Sequence, residues 1–74
     1  MSGLRELRQG RLLTQQELAE QVGVWQQTVH AWETGRSRPR TKALRKLCVV
    51  LEVTPGELLE ALNVSAEQAS KLAA

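Results

Sequence analysis

The chain has 74 residues, enough for one domain and no second. It lacks Phe and Tyr and holds two Trp, so its core must be mostly Leu, Val and Ala, and a core this small needs well-formed helices, dimerisation or both. A single cysteine excludes an intramolecular disulfide and a four-ligand zinc site, while the net charge of +2 excludes little.

A first helix is expected from about residue 2 to residue 11, with Leu4, Leu7 and Leu12 on its apolar side and Gly10 weakening its last turn by up to about 1 kcal/mol. Thr14 caps the second helix and forms a capping box with Glu17, each side chain accepting the other's backbone N–H. Leu18, Ala19 and Val22 face inward, and Gly23 ends this helix. The third helix starts near Trp25 or Gln26 and stops at Gly35, a good left-handed residue past a helix end. Residues 36–40 form a basic loop in which Pro39 holds Arg38 extended, and Thr41 is the expected cap of a fourth helix. Leu44, Leu47, Cys48 and Leu51 recur as one buried stripe, with Cys48 as a small buried side chain. Thr54 and Glu57 make a second box, with Pro55 at the favoured first helical position, and open a fifth helix carrying Leu58, Leu59 and Leu62. Ser65 with Gln68 offers a weaker box for a short terminal helix. No strand pattern, repeat or low-complexity segment is present.

Residues 15–35, QQELAEQVGVWQQTVHAWETG, carry the most information. Ala19 is small where two helices must cross, Gly23 tolerates positive φ at the turn, and Val29 and Trp32 give the next helix an inward face. That is the spacing of a helix-turn-helix, which puts one helix into the DNA major groove. Arg36, Arg38, Arg40, Lys42, Arg45 and Lys46 then follow with no acid among them, while the rest of the chain holds all eight acids. Taken alone, such a run can be a solvated face; directly after this motif it reads as a phosphate-binding edge.

The chain resembles the lambda-repressor-like (Cro/C1-type) family of DNA-binding domains. The resemblance covers residues 4–59, through LRELR, LTQQELA, VGV, WETG, RP and VTPGELL in order. It implies an all-α, compact five-helix bundle with the helix-turn-helix in helices 2 and 3, a possible short extra helix at the C-terminus, and helix 3 as the recognition helix. It also implies an ion pair between Arg8 and Glu33, tying helix 1 to helix 3. Two departures stand out. Trp25 occupies a position that usually holds a small capping residue, and it either leans on DNA or, the preferred reading, packs against Leu12 or a partner. Leu12 stands where the family often has Gly, so a distorted exit from helix 1 is expected.

On the third helix, Gln26, Gln27, His30 and Ala31 are the candidate base contacts. Glutamine can bond adenine N6 and N7 together, the Gln26–Gln27 pair resembles one that reads bases in a lambdoid phage repressor, and Ala31 is small enough to touch a thymine methyl. Gln15, Thr28, Arg36, Arg38, Arg40 and Lys42 are candidate phosphate contacts. Arg8, Ala19, Gly23, Val29, Trp32, Glu33 and Gly35 are assigned to structure.

The expected protein is a sequence-specific DNA-binding transcription regulator, a repressor by preference. It has a DNA-binding domain over residues 1–62 and a tail or short helix over residues 63–74. Its partners are double-stranded DNA with an inverted-repeat operator and a second copy of itself, joined through the fifth helix and the tail from Leu62 to Leu72. No cofactor, metal, small-molecule ligand or membrane is expected. The chain has no Asp, one His and one Cys, and no nucleophile–base pattern, so no enzyme activity is expected. The N-terminus lacks a signal-peptide core, and the apolar run at residues 47–51 is far too short to cross a membrane, which points to the cytoplasm of a bacterium or phage host, at the nucleoid. The competing reading is a protein-interaction module, such as an antitoxin or a component of a larger complex.

Overall fold

The computed structural model describes residues 3–73, with side-chain positions through residue 65. The start expected for the first helix at residue 2 lies outside the described residues. Five helices follow one another: α1 (Leu4–Gly10), α2 (Gln15–Val22), α3 (Gln26–Glu33), α4 (Thr41–Leu51) and α5 (Pro55–Ala73). No strand occurs among the described residues, so the fold is an all-α bundle.

Local chemistry starts and stops these helices. At α2 the capping box is complete: Glu17 N–H donates to Thr14 Oγ1 at 3.1 Å, and Thr14 N–H donates to Glu17 Oε1 at 3.0 Å. Thr54 Oγ1 accepts the Glu57 amide at 3.2 Å and opens α5. Thr41 is not a cap. Pro39 keeps the preceding backbone extended, Arg40 remains extended (φ −82°, ψ 171°), and Thr41 is already the first helical residue.

Four helix ends close through the same bond, from an amide to the carbonyl five residues back: Leu13 to Arg8 (3.2 Å), Val24 to Ala19 (3.0 Å), Arg36 to Ala31 (2.9 Å) and Val53 to Cys48 (3.1 Å). This closure requires a left-handed residue just before the donor. Gly23 (φ 85°) and Gly35 (φ 76°) supply it at two ends, Leu12 (φ 58°) and Glu52 (φ 54°) at the others. The exit from α1 is therefore not distorted as expected. It keeps the turn that glycine would make, and Leu12 takes up the strained conformation instead.

Leu4, Leu18, Val29, Leu47, Leu51 and Leu58 are the largest fully buried side chains, and Ala19, Val22, Trp32 and Leu62 complete the core with them. α2 packs on α3 and α4, while α5 packs on α1, α3 and α4. Two expectations for the C-terminal part are corrected here. No new helix starts at Ser65, because α5 meets no Pro or Gly there and runs on to Ala73. Ser65 is buried, and its hydroxyl accepts the Leu4 amide at 3.2 Å, so it caps α1 from across the chain. Leu62 and Val64 lie in the bundle's own core, which withdraws them from the surface expected to face a second copy; the side chains past residue 65 lie outside the described residues.

Two substitutions test this account. Leu12 is 91% exposed, so Leu12→Gly removes no packing. Relief of a left-handed strain of roughly 1–2 kcal/mol, less the glycine entropy of about 0.5–1 kcal/mol, should stabilise the fold by up to about 1 kcal/mol. The thermal midpoint should rise by up to roughly 5 °C, and a lower midpoint contradicts the strain. Ser65→Ala leaves the Leu4 amide buried and unpaired and should cost about 1–3 kcal/mol in urea unfolding.

Candidate nucleic-acid interface

The turn between α2 and α3 is set by two residues. Gly23 donates its amide to the Ala19 carbonyl at 2.8 Å in a conformation that side chains with a Cβ adopt only under strain. Ala19 itself is buried where α2 meets α3. Val29 and Trp32 bury the inner side of α3, as expected. Its outer side carries Gln26, Gln27 and His30, all exposed, with Thr28 and Ala31 half-buried at its margins.

Trp25 precedes this helix with an extended backbone and no side-chain capping bond. It is 80% exposed, and Leu12 is more exposed still, so the indole packs neither on Leu12 nor on the core. The expected packing within the chain is thereby excluded. Trp25 stands just before the α3 helix at its N-terminus, and among the described residues no element covers it.

An open groove of about 450 Å³ runs between the α2–α3 turn and the segment leading into α4. Thr28, Ser37, Arg38, Arg40, Lys42 and Lys46 line it together with apolar groups, and no acid stands on its wall among the described residues. Four of the candidate phosphate contacts are thus brought together. Lys46, a member of the basic run that was not among those candidate contacts, joins them; its ammonium lies 3.6 Å from where a Cβ on Gly23 would stand. Its neighbourhood to Gly23, two helices away, has no signal in the linear pattern. Arg36 is exposed beyond the wall, and Arg38 bonds Asn63 of α5. No side chain caps the first turn of α4 beside this groove.

Behind α3 lies the ion pair that the resemblance implied. Arg8 Nε donates to Glu33 Oε2 at 2.6 Å and Nη2 to Oε1 at 3.3 Å, with the two side chains 9% and 4% exposed. The remaining Arg8 nitrogen, Nη1, donates to the Leu13 carbonyl at 2.7 Å. Gln15 stands apart from the basic groove. Its Nε2 donates to Glu33 Oε1 at 3.1 Å and lies 3.3 Å from His30 Nδ1. This link joins residues on different helices, and sequence reasoning did not find it. Among the described residues no cluster of His, Cys and acidic side chains forms a metal site.

The helix-turn-helix family matches residues 4–58. The HTH-type transcriptional activator BcrR of Enterococcus faecalis is 39% identical over 56 residues, which cover 76% of this chain and 28% of that protein. The matched segment is thus a minor part of the relative's length. No solved structure matches significantly.

Glu33→Ala tests the pair behind α3. It leaves Arg8 as a buried, uncompensated cation, at a cost of about 3–5 kcal/mol. That is a large share of the roughly 5–15 kcal/mol that holds a domain folded. The variant should melt far below the wild type by circular dichroism, and an unchanged melting temperature contradicts the pairing.

Proposed function

Because this chain belongs to the Cro/C1-type helix-turn-helix family of DNA-binding domains, we propose that it is a sequence-specific, double-stranded DNA-binding transcription regulator that lays α3 in the major groove. One observation carries the reading. The exposed polar row Gln26, Gln27 and His30 lies on the same helix as Thr28, which opens onto a groove lined by four cations and, among the described residues, by no acid.

Each part has a chemical role. Gln26 and Gln27 pair with adenine edges, and Ala31 leaves room for a thymine methyl. Thr28, Arg36, Arg38, Arg40 and Lys42 take phosphates, helped by the uncapped amides of α4, and hold the recognition helix in register. Trp25 lies against the sugar–phosphate backbone or a thymine methyl at the edge of the groove.

One recognition helix spans too few base pairs for useful selectivity, so the domain binds as a homodimer to an inverted repeat with half-sites one turn apart, roughly 34 Å. Repression is the mode that occupancy alone can deliver, since a bound dimer blocks a promoter without further contacts. The reading calls for no cofactor, small-molecule ligand or catalytic step, and it places the protein at DNA in the cytoplasm.

Selection from a random DNA pool should enrich an inverted repeat. With three or four phosphates contacted by each subunit, the log–log salt slope of binding should be about −5 to −7. A slope near zero, or a pool without a shared sequence, overturns the reading.

A further inference from the structure

We propose that Gln15 is a positioning residue: it holds the His30 ring so that His30 offers a hydrogen-bond donor to DNA and selects guanine in the major groove. The inference rests on the DNA reading above and assigns one base preference within it.

The argument begins at Glu33. Its carboxylate is paired with Arg8, and an ionised carboxylate can only accept hydrogen bonds. The Gln15 amide atom 3.1 Å from Glu33 Oε1 must therefore be the nitrogen, which orients the whole amide. The same nitrogen lies 3.3 Å from His30 Nδ1. An amide nitrogen donates and does not accept, so Nδ1 must be the bare, accepting nitrogen of the ring. The ring proton then sits on Nε2.

His30 is exposed on the outer side of α3, and its Nε2 has no hydrogen-bond partner among the described residues. The recognition surface thus carries a single, oriented N–H at this position. Guanine presents two adjacent acceptors, N7 and O6, and no donor on its major-groove edge. Adenine has a single acceptor, N7, beside its amino donor, thymine a single acceptor, O4, beside its methyl, and cytosine only a donor, so guanine is the base that best matches this N–H. Gln15, with both amide hydrogens directed at Glu33 and His30, has none left for a phosphate. The chain Arg8–Glu33–Gln15–His30 therefore runs from the buried ion pair to the outer face of α3.

Two measurements test this with the wild type, Gln15→Met, which keeps the length and loses both donors, and His30→Ala. Imidazole ¹⁵N spectra of the free proteins at mildly alkaline pH should show one Nε2-protonated form in the wild type, and a population of the Nδ1-protonated form in Gln15→Met. Identical ring spectra overturn the positioning role whatever happens on DNA. Selection from a random pool should give the wild type a guanine preference at one position of each half-site. His30→Ala should lower it roughly five- to tenfold, Gln15→Met should lower it partly, and both should keep the other positions. Uniform weakening by Gln15→Met at every operator position, with the guanine preference intact, marks a phosphate contact and overturns the proposal. A wild type that enriches no sequence overturns the DNA reading, and the guanine assignment with it, separately from the spectra.

Discussion

The buried pairing of Arg8 with Glu33 is the constraint on which the rest of the arrangement depends. A guanidinium and a carboxylate joined through two nitrogens allow little freedom of relative placement, so α3 is referenced to α1 at its C-terminal end. The third Arg8 donor holds the Leu13 carbonyl just before α2, and the Glu33 oxygen shared with Gln15 adds α2 itself. Three helices thus meet at one carboxylate. Burying both charges costs several kcal/mol in desolvation, which only complete hydrogen bonding can offset. Among the described residues no buried side-chain nitrogen or oxygen lacks a partner, so that condition is met. The pair does more to fix where α3 lies than to deepen the stability well.

The helix ends extend the same logic. Each must return the chain at once to build a small bundle from short helices, and each does so through one left-handed residue. Glycine serves at the two ends flanking α3, where the geometry of the recognition helix is set. Leu12 and Glu52 serve at the others. Glu52 is compensated: Arg11 pairs with its carboxylate at 2.8 Å and donates to the Leu51 carbonyl at 3.1 Å, so the end of α1 clamps the end of α4. Leu12 has no such compensation and remains strained in solvent.

This rigid rear leaves a front of different character. The charge asymmetry of the sequence becomes a spatial one, because cations following α3 gather around a groove with no acid on its wall among the described residues, while Glu33 and Glu52 are paired with Arg8 of α1 and with Arg11 just past its end. The outer side of α3 is polar and the indole beside it is uncovered. A surface built this way has direction: cations to hold a polyanion, and a row of amide and imidazole groups to discriminate what is held.

Interactions that close within a turn or two could be read without a structure. The Thr14–Glu17 box, the left-handed Gly23 and Gly35, the inward Val29 and Trp32, and the stripe through Leu47 and Leu51 involve residues that backbone geometry makes neighbours in any fold. The Arg8–Glu33 pair, across 25 residues, was accessible only through family resemblance. Other features followed neither route. Ser65 bonds Leu4 across 61 residues, Gln15 meets His30 and Glu33, Lys46 reaches the Gly23 turn, and Leu62 is consumed by the core. Each depends on the angle and depth at which two helices cross, which is a property of the packed bundle. Leu12 shows the division at a single residue: its chemistry argued for a broken turn, and packing of the helices on either side held the turn and placed the strain on the side chain. The chain's local chemistry thus specified five helices and a helix-turn-helix, whereas tertiary packing decided which polar groups were spent inside and which were left to face a ligand.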